Sequence, residues 1–285
     1  MELVDPIAGI LLPVGVGVVA LLLGWRPWDR TASRGRFSAL ASALALVGAY
    51  LLAHVAYFDL PPLPPVEAWH QLGLLVLVSL VLVPLEGIGG GVRTARWTLK
   101  SVVVAAFLWI GLSPKREHRW EGFEEVLWLG GTFLVWMLAL GALSDLARRR
   151  ARGLSLPLSL LLTFSAAAAA LGFSGSLVFA RLAGALAAVL GVFCAVALWR
   201  PDLPLLERAH VPAGIALVGL ATCGAFFSQT PAAVAALLAF LPQAARFPGG
   251  DGLRPAFLRG TLVTLCGGVL VWLARGEPDP SSQYY

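Results

Sequence analysis

Long apolar runs, each close to the length that crosses a bilayer and most bounded by arginine, proline or glycine, dominate this chain. About 20 predominantly apolar residues cover the ~30 Å of hydrocarbon in a membrane. Inside that layer every backbone N–H and C=O must be satisfied within the segment, so such a run folds as a helix. Run length and helix breakers place ten spans at residues 7–24, 37–57, 71–90, 97–113, 126–145, 154–173, 176–199, 211–228, 231–246 and 257–274. The ninth is short and carries Pro242, and the fourth begins with Trp97 and Lys100 near one end. The fold class that follows is an all-α polytopic membrane protein with one transmembrane domain over 1–285.

Composition excludes the soluble alternatives. Hydrophobic residues make up 58% of the chain and charged residues 13%, whereas soluble domains carry about a quarter charged residues. The net charge of +5 and the pI near 9.6 do not point to nucleic acid, because the basic residues sit in the segments between spans. The amino terminus, Met-Glu-Leu-Val-Asp-Pro, lacks the basic region of a secretory signal, so the first span is expected to be retained.

Arginines alternate along the chain. Arg26, Arg30, Arg34 and Arg36 follow the first span, Arg93 and Arg96 the third, Arg148, Arg149, Arg150 and Arg152 the fifth, Arg200 and Arg208 the seventh, and Arg246 and Arg254 the ninth. Of the other connections, only the one holding Lys115, Arg116 and Arg119 is basic, and there Glu117, Glu121, Glu124 and Glu125 intervene. The positive-inside rule then puts both termini outside, in a bacterial-type cytoplasmic membrane. Ten spans divide into halves of opposite orientation, 1–145 and 146–285, the plan of an inverted repeat. Phe37-Ser-Ala-Leu-Ala-Ser-Ala-Leu-Ala-Leu-Val in the second span aligns with Phe179-Ala-Arg-Leu-Ala-Gly-Ala-Leu-Ala-Ala-Val in the seventh. Helices rich in Ala and Leu align cheaply, so the repeat is an expectation only.

Ionisable residues inside spans are costly and mark function or structure. Arg181 lies on the seventh span. At 100° per residue Gly184, Ala185, Ala188 and Ala195 fall on its side, and Phe179, Leu182, Leu186, Leu190 and Phe193 fall opposite. Small residues permit close helix approach, so the arginine is expected to face neighbouring helices and the bulky residues to face lipid. Arg181 either snorkels to the outer interface or forms a substrate or proton site. Near the same depth, Tyr50, His54 and Tyr57 share one helical face, followed by Asp59, Glu67 and His70. An interfacial aromatic belt accounts for the tyrosines, while a functional reading makes His54 a proton relay.

At the cytoplasmic side, Glu86 closes Val-Pro-Leu-Glu-Gly-Ile-Gly-Gly-Gly, and Lys100 across the short connection is its expected partner. Arg181 lies too far from Glu86 along the membrane normal to pair with it. The glycine run lacks the Gly-Lys-Ser/Thr of a phosphate loop, and neither HExxH nor GxSxG occurs. Cys194, Cys223 and Cys266 lie in apolar runs without metal-ligand spacing and are expected to be packing residues. No cofactor or metal is called for, and a non-enzyme is favoured. The leading reading is a carrier or permease for a small molecule, with an anion as one candidate class. The second is a non-catalytic subunit or scaffold with a membrane-protein partner, and the third a lipid-modifying enzyme. The segment 113–125, with Trp120 and Phe123 among mixed charges, reads as an interfacial helix or solvated loop, with a partner-docking surface as the alternative.

Overall fold

The computed structural model describes residues 4–25, 36–58, 67–86, 93–118, 120–150, 152–247 and 252–275. Every regular element among them is helical. In order these are α1 (Val4–Trp25), α2 (Arg36–Phe58), α3 (Ala68–Leu85), α4 (Arg93–Gly111), α5 (Ser113–His118), α6 (Phe123–Arg149), α7 (Ser155–Phe173), α8 (Leu177–Trp199), α9 (His210–Phe227), α10 (Ala232–Phe240), a 3₁₀ helix (Leu241–Arg246) and α11 (Leu253–Ala274).

Seven stretches among the described residues are long and apolar enough to cross a membrane: Leu40–Phe58 in α2, and helices α3, α6, α7, α8, α9 and α11. Three expected spans are not among these seven. The described apolar part of α1 is Ile10–Trp25, and α10 with its 3₁₀ extension covers only Ala232–Arg246. In the latter, Pro242 lacks the N–H for an α-helical bond and the chain tightens into a 3₁₀ helix from Leu241. The α4 helix is long enough, but Arg93, Arg96 and Lys100 occupy its first eight residues.

Helix α9 is the centre of the bundle, with 83% of its apolar window buried. Its glycines recur every fifth residue, and five residues turn a helix by about 500°, or 140° net. Gly214, Gly219 and Gly224 therefore point in three directions, and each meets leucines from a different helix. A Cβ on Gly214 would lie 2.9 Å from both Leu140 and Leu143 of α6; one on Gly219 would overlap Leu72 of α3, and one on Gly224 would overlap Leu171 of α7. Missing side chains let the surrounding helices approach a common axis.

The two ends of the bundle are tied differently. At one end the α7–α8 turn is a Schellman motif: Gly175 adopts φ 83°, Ser176 N–H donates to Leu171 O at 2.9 Å and Gly175 N–H to Gly172 O at 3.1 Å. Gln229 N–H, beyond α9, donates to Ser174 O at 3.3 Å. At the other end Arg246 of the 3₁₀ helix reaches Asp145 of α6 at 3.0 Å. Nearby, the buried Arg259 of α11 donates to Ser155 Oγ of α7 at 2.7 Å and to Phe247 O at 3.0 Å.

The expected orientation of α8 is reversed. Phe179, Leu182, Leu186, Leu190 and Phe193 are all buried, whereas Arg181 and Ala195 are exposed and Gly184 and Ala188 half-buried; Ala185, at the edge of the arginine's side, is buried with the large residues. Helical phase separated the two faces, but the large side chains fill the space against α1, α2, α7 and α9. Close approach is provided from the α1 side, where a Cβ on Gly17 would lie 3.0 Å from Val189. The cysteines also divide: Cys194 and Cys223 are buried, while Cys266 is exposed and so does not pack in the core.

Candidate functional site: an apolar groove with a polar mouth

Helix α6 is the least covered of the long spans, with 22% of its window buried. Between it, α9 and α10 runs a groove of about 460 Å³. Its wall is made by Leu127, Gly131 and Val135 of α6, Ala221 and Ala225 of α9, and Ala236 of α10, among others. Such small residues leave the width that larger side chains would fill. Deep in the groove, the indole N–H of Trp136 donates to Thr222 Oγ1 at 2.7 Å, so this pair adds no unsatisfied polarity to the wall.

The groove continues at the α5 end into a second recess of about 300 Å³, lined by Lys115, Trp120, Glu124, Trp128 and Phe226. Three rings frame this mouth. Trp120 stacks on Trp128 at 6.3 Å, and Phe226 meets Trp120 edge-on at 5.3 Å and Trp128 at 5.5 Å. Charges surround the rings: Trp128 Nε1 donates to Glu124 at 3.3 Å, Lys115 Nζ lies 5.8 Å from the Phe227 ring, and Arg116 binds Glu125 at 2.6 Å. The segment 113–125 thus contributes a short helix followed by a tryptophan folded back onto α6 and α9. Aromatic and charged groups above an apolar trough match the division of an amphiphile into head and chain.

The residues singled out from sequence fall elsewhere, in three places. Arg181 lies over the Tyr57 ring at 5.2 Å, on the exposed side of α8. Tyr50 and His54 turn inward and are fully buried; His54 packs against His70 of α3 at 5.5 Å between ring centres. The expected common face of Tyr50, His54 and Tyr57 is therefore divided, with Tyr57 beside α8 and the other two against α3. Asp59 lies outside the described residues.

Glu86 and Lys100 meet as an ion pair at the opposite end, and Arg96 also binds Glu86 at 3.1 Å. The network extends further than the sequence indicates: Lys100 Nζ donates to Ser144 Oγ at 3.4 Å, Ser144 contacts His210 Nε2 at 3.2 Å, and His210 Nδ1 donates to Glu207 O at 2.7 Å. Lys100, Ser144 and His210 are buried, so the chain of contacts joins α3, α4, α6 and α9. The segment 113–125 supplies Lys115, Trp120 and Glu124 to the groove and its mouth, and small residues of the expected ninth span, 231–246, line the α10 side. Nothing local in the sequence shows that these two segments converge.

Among the described residues there is no group of three or more His, Cys, Asp or Glu side chains able to hold a metal ion. No protein-family model, curated protein or solved structure matches the chain.

Proposed function

We propose that the protein is a multi-pass carrier of a cytoplasmic membrane, and that it holds an amphiphilic small molecule with an ionised head group in the α6/α9/α10 groove. In this reading the chain has ten membrane segments in halves 1–145 and 146–285, with both termini outside. The observation that carries the function is the groove itself. It is apolar for most of its length and ends at a mouth of three aromatic rings with Lys115 and Glu124. The alternating arginines support the orientation, and the mouth then lies at the outer interface, where aromatic and charged side chains are favoured.

The test uses the purified protein in lipid nanodiscs with a C16 carboxylate that carries a photoreactive diazirine at mid-chain. Crosslinks are expected to concentrate on 127–135, 221–225 and 232–239, and to fall several-fold in Gly131→Trp, which fills the groove. Labelling spread evenly over the outward faces of α1, α8 and α11 would sink the binding site. A second arm reconstitutes the protein in liposomes and follows transfer of the labelled amphiphile between leaflets. Binding without accelerated transfer would favour a scaffold over a carrier.

A further inference from the structure

Away from the groove, polar atoms collect between α2 and α3 without a partner among the described residues. Tyr50 and His54, one turn apart on α2, are 0% and 1% exposed, and His70 in the first turn of α3 is 9% exposed. Among the described residues no protein group hydrogen-bonds Tyr50 Oη, either ring nitrogen of His54 or His70 Nδ1. The three rings form a file, Tyr50 to His54 at 6.5 Å and His54 to His70 at 5.5 Å between centres. Buried polar groups are paired in nearly all folded proteins, and hydrocarbon offers none of the relief that solvent gives at a surface. The orphaned phenol and imidazole atoms along this file are therefore a chemical demand for a guest that both donates and accepts.

Gly73 of α3 faces this seam. Among the described residues, a Cβ placed there would meet only His54 Nδ1 and Tyr50 Cε1 within 4 Å, each at 3.9 Å, which is ordinary contact distance. A buried water needs two to four polar partners, and the imidazole nitrogens and the phenol supply them.

We propose that Tyr50, His54 and His70 form an internal water-binding site beside Gly73, reached from the end of the bundle where His70 lies. Water supplies the partners that the fold withholds, and it makes the α2–α3 seam a hydrated inlet rather than dry packing. Neutral imidazole and phenol each donate and accept, so the same arrangement lets protons from outside reach His54. The inference is independent of the amphiphile groove.

Radiolytic footprinting tests it, because hydroxyl radicals generated from a bound water modify the side chains beside it. Phe164 and Phe193, both 0% exposed in apolar surroundings, are internal controls for dryness. After correction for intrinsic reactivity, Tyr50 is expected to be modified several-fold faster than either phenylalanine. Gly73→Ala, whose methyl fits without collision, is expected to lower that rate several-fold while the melting temperature is kept. Modification of Tyr50 no faster than Phe164 and Phe193 would overturn the site, and so would an unchanged rate in Gly73→Ala.

Discussion

Lys100 is a cation at 2% exposure whose charge is met by Glu86 and whose remaining donors turn to Ser144. Removing one member of a buried pair leaves the other uncompensated, at a cost of roughly 3–5 kcal/mol. Glu86→Gln should therefore lower the melting temperature in detergent sharply, and the double variant Glu86→Gln/Lys100→Met should recover much of the loss; equal melting of wild type and Glu86→Gln would contradict the buried pair. Arg181 is the opposite case. It is exposed and, among the described residues, lies over the ring of Tyr57, so Arg181→Ala should change stability by about 1 kcal/mol or less. The Glu86–Lys100 pair is legible in the sequence because a short connection separates its partners. Ser144 and His210 come from helices far along the chain, and nothing local announces that they converge. Arg259, inside the expected span 257–274, carries no local sign of its role; it is buried and binds Ser155 and the backbone of Phe247.

At the scale of elements, spacing carries more information than identity. The five-residue interval of Gly214, Gly219 and Gly224 distributes three gaps around α9 and lets α6, α3 and α7 each insert leucine side chains. Gly219→Val should overpack the contact with α3 by about 1–3 kcal/mol. Leu72→Ala in the same chain should restore part of that stability, a rescue that thermal unfolding of the single and double variants would reveal or refute. The α1–α2 hairpin offers a parallel test, since a Cβ on Gly24 would overlap that of Ala41. Gly24→Ala should destabilise the hairpin, and Ala41→Gly should relieve it, as followed by proteolysis at the α1–α2 connection. For α8 the sequence separated two faces, Ala185 apart, and assigned them to the wrong surroundings. Lipid chains and a protein interior are equally apolar, so polarity cannot tell which face turns inward; the shape of the space between α1, α2, α7 and α9 does.

For the whole molecule, the proposed topology makes a direct prediction. With a cysteine-free background, single cysteines at 122 and 229 should react with a membrane-impermeant maleimide added outside intact cells, and cysteines at 152 and 202 only after permeabilisation. The reverse pattern would invert the orientation, and uniform labelling would break the ten-segment count. The contacts at the two ends are consistent with this arrangement: Gln229 meets Ser174 at one end, and Arg246 meets Asp145 at the other. The sequence by itself determined that the chain is helical and membrane-embedded, because removing backbone from water leaves only internally bonded helices for runs of this length. It also indicated where most helices stop, through arginine, proline and glycine. The tertiary structure alone decided which faces meet, which charges are enclosed, and that a groove opens between α6, α9 and α10. Those outcomes depend on the fit of side chains brought together from distant parts of the chain, and in a medium as apolar as the core itself that fit leaves almost no trace in local hydrophobicity.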